Sequence, residues 1–143
     1  MSFDNIKKEV AYLKKYYKTD DPFEIAKSKN ILLLYEALGS VNGYYNKILR
    51  QQQIHINHDL SRIQKYFTCA HELGHAVMDP ETNTPFLRNN TYLSVDKMEI
   101  RANKFAVELL IDDVFFLENW QYTTDQMARM LGYQKELIEL RLV

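Results

Sequence analysis

The chain has 143 residues, the length of one ordinary domain, and 46% of them are apolar, including 10 Tyr and 7 Phe, so a real core can form. Lys and Arg number 18 against 19 Asp and Glu, a formal charge of −1 that offers no electrostatic case for nucleic acid or membrane as main partner. The one cysteine, Cys69, rules out an internal disulfide and suits a reducing cytoplasm, where we expect the protein to reside; we expect no signal peptide in the charged start MSFDNIKKEVAYLKK, and no apolar run approaches membrane-spanning length.

In chain order, residues 3–17 read as an amphipathic helix, with Phe3, Ile6, Val10, Leu13 and Tyr17 at helical spacing. Asp21-Pro22-Phe23-Glu24 opens a second helix, with Asp as cap and Pro in the first position, ending near Asn30. Three short Ile-, Leu- and Tyr-rich stretches, 31–38, 43–49 and 52–57, read as strands, and Asn42-Gly43 suggests a hairpin between the first two. In the last stretch Ile54 and Ile56 alternate with His55 and Asn57, the pattern of a half-exposed strand.

SRIQ (61–64) is a capping box for a helix that runs to Met78, where Pro80 stops it. Ile63, Phe67, Ala70, Gly74 and Val77 should form its buried stripe. Residues 79–93 read as loop, 95–111 as a long helix, and the tail as two short helices separated near Gly132. Helices first, then strands, then helices make an α+β fold with a small three-stranded sheet, taken as one domain over 1–143 with 115–143 as a helical tail packed on it.

TCAHELGHAVMD (68–79) carries the chemistry. Residues four apart on a helix share a face, so His71 and His75 can present imidazole nitrogens to one metal ion, while Glu72 is rotated away and can reach a water as general base. Two such histidines can also be satisfied core residues. A catalytic zinc with two His ligands needs a third ligand. His55 and His58 are poor choices. Glu99 is better: Ala102 and Ala106 follow on its face and would let its helix approach closely, although Glu99 can equally be a solvated helix glutamate.

HELGH (71–75) preceded by FTCA, together with EIRANKFAVELL (99–110), resembles the ImmA/IrrE family of metallopeptidases, over roughly residues 20 to 115 and more weakly in the tail. The resemblance implies a minimal zincin-like domain, one Zn2+ per chain held by His71, His75 and Glu99, and Glu72 as catalytic base. It departs in two places. The family often has a further His after HELGH, where this chain has Asp79, and its L-L-x-P appears here as LLIDD (109–113).

Among other residues, Asn103 sits one turn after Glu99 and is a candidate to hydrogen-bond a ligand, with ordinary helix packing as the alternative. Tyr92 is a candidate hydrogen-bond donor to a tetrahedral intermediate. Cys69 should point away from the ligands, and Arg88 and Arg101 should lie on the surface. The tail has the A-x-x-x-G spacing of helix-turn-helix units, but its charge balance is poor for phosphate contacts, so no direct nucleic acid binding is expected.

The leading expectation is a zinc-dependent endopeptidase whose peptide lies extended in the cleft, added as a strand beside Gln52–Asn57. The resemblance implies a partner DNA-binding repressor as substrate, an anti-repressor role in a phage or mobile element. The alternative is a zinc-binding regulatory module that binds its protein partner without cutting it.

Overall fold

The computed structural model describes residues 1–84 and 92–143, with residues 92–96 described by their backbone. Among the described residues there are seven helices and one three-stranded sheet, an α+β fold of minimal zincin-like form. Helix α1 spans Phe3–Tyr17; the Ser2 side chain caps it by accepting from Asn5 N, and Ile6, Val10 and Leu13 are its buried face. Helix α2, Pro22–Ser28, is capped by the Asp21 side chain on Phe23 N and stops two residues before Asn30.

The strands are β1 (Leu32–Glu36), β2 (Gly43–Ile48) and β3 (Gln51–Asn57), in the order β1-β3-β2. This corrects two expectations. The hairpin joins β2 to β3, not β1 to β2, and its turn is Leu49-Arg50, both at positive φ (49° and 69°). Two left-handed residues match the twist of the flanking strands, a geometry that usually calls for Asn and Gly, so the turn left no compositional mark. Strand β3 is the central strand, parallel to β1 and antiparallel to β2. Both of its edges are used, so no peptide can add beside Gln52–Asn57.

Nor is β3 half exposed. Ile54, His55, Ile56 and Asn57 are all buried. On the outer face Tyr44 stacks on His55 with centroids 4.1 Å apart. The His55 ring is held by Glu36 at Nδ1, and by Asn46 Oδ1 (3.1 Å) and Gln53 Oε1 (3.2 Å) at Nε2. Asn57 donates from Nδ2 to the carbonyls of Gly39 and Val41, both at 3.0 Å, and so ties the β1–β2 connection to the sheet.

Helix α3 is Arg62–Met78, opened by the Ser61/Gln64 capping box. Its burial is wider than the expected stripe, because every residue from Thr68 to Ala76 is buried, while Ile63 is exposed. Helix α4, Tyr92–Leu110, starts three residues earlier than the periodicity suggests and lies against α3. Three short helices follow: α5 (Asp113–Glu118), absent from the sequence reading, then α6 (Thr124–Leu131) and α7 (Lys135–Leu142). Gly132, at φ 78°, closes α6 in the left-handed conformation that favours glycine. No described helix is long and apolar enough to cross a membrane.

The main core gathers α1, α2, the sheet, α3 and α4; a second cluster, Val107, Ile111, Met127, Ala128 and Ile138, packs the tail against the far half of α4. A polar lock joins them. The fully buried Lys104 donates to the carbonyls of Leu140 (3.0 Å), Arg141 (3.2 Å) and Val143 (2.8 Å), and pairs with Glu108 at 2.9 Å. Arg141 reaches Glu108 at 3.3 Å, Asp113 at 2.5 Å and the Ile111 carbonyl at 2.9 Å. Burial pushes the Lys104 ammonium below its usual value, and Glu108 opposes that shift. Removing Lys104 strips three carbonyls of their donor and leaves Glu108 with Arg141 alone. Lys104→Ala should therefore lower unfolding stability by about 3–5 kcal/mol, read from the urea midpoint.

Candidate metal centre

Helical spacing places His71 and His75 one turn apart on α3, with ring centroids 4.9 Å apart. Their Nε2 atoms face the two oxygens of one carboxylate on α4, Glu99, at 2.7 Å from His71 and 3.0 Å from His75. The close approach of the two helices makes this possible. A Cβ at Gly74 would meet the Phe105 ring at 3.1 Å, and Ala102 and Ala106 are fully buried. Small residues on both helices let the backbones near each other, and that brings a side chain as short as Glu99 within reach.

Glu72 is 1% exposed and sits beside the pair; one ligand-type atom from each of His71, Glu72 and His75 lies within 4.8 Å of the others. Asn103, one turn along α4 from Glu99, accepts from His71 Nδ1 through Oδ1 at 2.7 Å. That bond directs Nε2 of His71 toward Glu99. Burial alone would raise the Glu99 carboxyl, but hydrogen bonds from His71 and His75 and their charge outweigh it and hold it well below the usual carboxylate range. Two imidazole nitrogens and an ionised carboxylate oxygen are the donors a divalent ion such as zinc takes, and protons on the rings hold the place a cation would hold. The donor set fits a metal ion.

The centre opens on one side into a cleft of about 390 Å³. Its walls are Ser40, Val41 and Asn42 ahead of β2 with Gly43 at its start, Phe67 and Thr68 on α3, and Asn103 on α4, with His71, Glu72 and Glu99 also reaching it. His75 lies behind, at 0% exposure.

A sequence model of the IrrE N-terminal-like domain, a peptidase family, matches residues 26–143. The chain is 42% identical over 139 residues to the uncharacterized immunity region protein 2 of Bacillus phage phi105, covering 95% of this chain and 88% of that protein. It is 34% identical over 135 residues to metallopeptidase ImmA of Bacillus subtilis strain 168, covering 93% of this chain and 75% of that one. The chain belongs to the ImmA/IrrE family of metallopeptidases. Membership and the His71-Glu72-His75 group together make it a metal-binding hydrolase of the protease class, with protein as the class of substrate.

Of the residues singled out from the sequence, His71, Glu72, His75, Glu99 and Asn103 meet at one place. The side chain of Tyr92 lies outside the described residues, as does Arg88. His55 is in the sheet's outer face, and His58 pairs with Asp59 at 2.9 Å. Cys69 is fully buried in the core; burial, with Asp21 and Glu72 nearby, pushes its thiol well above the usual range, so it is not poised as a nucleophile.

The cleft wall at Ser40–Gly43 was missed from the sequence. Asn42-Gly43 reads as a turn, yet Gly43 is the first residue of β2, at a point where strand and helix nearly touch. A Cβ there would meet the His55 carbonyl oxygen at 2.5 Å and Thr68 Cγ2 at 2.6 Å. Gly43→Ala should push β2 away from α3 and cost about 1–3 kcal/mol, as overpacking does, measured by thermal or urea unfolding. The native Cys69 thiol should resist a thiol reagent that reacts stoichiometrically once the chain is unfolded.

Proposed function

We propose that this chain is a zinc-dependent endopeptidase, acting in the cytoplasm, whose substrate is the DNA-binding repressor of a phage or mobile element. The observation that carries the enzymatic reading is the convergence of His71 Nε2 and His75 Nε2 on the Glu99 carboxylate, with Glu72 buried beside them on the cleft floor. In this reading His71, His75 and Glu99 are the three protein ligands and Glu72 stays free of the ion as the base. Bound there, zinc would supply Lewis acidity toward the scissile carbonyl and acidify water at neutral pH.

The remaining work falls to the chain. Glu72 takes a proton from the attacking water and later delivers it to the leaving amine. Asn103 holds the His71 ring so that Nε2 points inward. The Ser40–Gly43 wall, anchored by Asn57, faces α3 across the cleft and orients an extended peptide over Glu72. Residues 1–143 form a single unit in this account, with the tail helices bracing α4.

The repressor as substrate rests on the relatives: one belongs to a phage immunity region and another is named metallopeptidase ImmA. Cleavage of a repressor would release the genes it silences, an anti-repressor role.

The test is metal content and cleavage in three proteins. Wild type and Glu72→Gln should each hold about one zinc per chain, and Glu99→Ala should lose it. Glu72→Gln should lower cleavage of the element's repressor by about 100-fold or more. A Glu72→Gln protein that relieves repression as well as wild type does, without cutting the repressor, would establish the non-cleaving binding module instead.

A further inference from the structure

The two histidines of the centre are not held alike. His71 has both ring nitrogens engaged, Nε2 with Glu99 and Nδ1 with Asn103 at 2.7 Å. His75 has Nε2 on Glu99 at 3.0 Å, but its Nδ1 is buried and makes no hydrogen bond among the described residues. A second atom shares that condition nearby. Asp79 Oδ2 is also buried, also without a hydrogen bond among the described residues.

Asp79 is the residue one turn on from His75. It caps the C-terminus of α3 with a non-helical backbone (φ −136°, ψ 61°), and its amide bonds the His75 carbonyl at 2.8 Å, which holds the two residues together. A lone buried acceptor and a lone buried ring nitrogen, on residues joined by that backbone bond, are complementary.

We propose that Asp79 is the positioning residue for His75, its carboxylate accepting a hydrogen bond from Nδ1–H when Nε2 is a metal ligand. The inference rests on the metal-site reading above. With Nε2 given to an ion, the neutral ring carries its proton on Nδ1, and that buried N–H needs an acceptor. The Asp79 carboxylate supplies it by turning about its own χ angles. The centre then has one outer partner per histidine: an amide oxygen from α4 for His71 and a carboxylate from the end of α3 for His75. Such partners fix ring orientation and raise ligand basicity, and losing one weakens metal binding by about 10–100-fold.

The experiment measures the zinc dissociation constant by competition with a chromogenic chelator, in wild type, Asp79→Ala and Asp79→Asn, with melting of each metal-free protein alongside. Asp79→Ala should bind zinc about 10–100-fold more weakly. Asp79→Asn, which keeps the shape and an acceptor oxygen, should fall between the two and guards against a folding defect. In the zinc-loaded wild type the His75 Nδ1 proton should give a slowly exchanging imidazole resonance, lost in Asp79→Ala while that of His71 remains. Unchanged zinc affinity in Asp79→Ala overturns this inference and leaves the metal site standing. A wild-type chain that takes up no zinc overturns the proposed function and this inference with it.

Discussion

The packing of α3 against α4 is the constraint on which the rest depends. Helix α3 opens on an ordinary capping box, and neither helix carries a complete site. Gly74 meets the Phe105 ring, and Ala102 and Ala106 are buried without projecting far. Close contact of this kind is sensitive to single methylenes, because protein interiors are packed like crystals. It determines how far Glu99 reaches. A larger residue at position 74 would separate the helices and pull the carboxylate away from both imidazoles.

Around that contact the structure spends polar side chains on orientation rather than on surface. Asn103 holds His71, and Asn57 holds the loop that forms the opposite cleft wall. His55, a potential ligand by chemistry, is instead occupied by Glu36, Asn46, Gln53 and the Tyr44 ring on the outer face of the sheet. One histidine therefore organises the sheet while two others organise the centre. Burial and hydrogen-bond partners separate these roles, and residue type does not.

The tail acts on the same helix from its other end. Lys104 and Glu108 lie on α4 one and five residues beyond Asn103, and they grip the carbonyls and the guanidinium of α7. A buried ammonium is costly unless its donors are satisfied, and here three carbonyls and a carboxylate satisfy them. The short tail helices contribute a second apolar cluster and a lock that steadies the helix carrying Glu99.

Much of this protein is legible in the chain itself, where the signals are local. The Ser61/Gln64 box, the Asp21-Pro22 start, the Gly132 stop and the four-residue spacing of His71 and His75 all concern neighbours within a turn or two, whose geometry the helix repeat dictates. Glu99 was readable as a candidate because small residues on its face announced a close contact, but that contact exists only in the packed molecule. The strand order, the exchange of the Asn42-Gly43 turn for Leu49-Arg50, and the cover over His55 were decided by tertiary structure. Strand pairing joins residues distant in sequence, and a two-residue period says which side chains share a face without saying which strand lies beside which, or what covers that face.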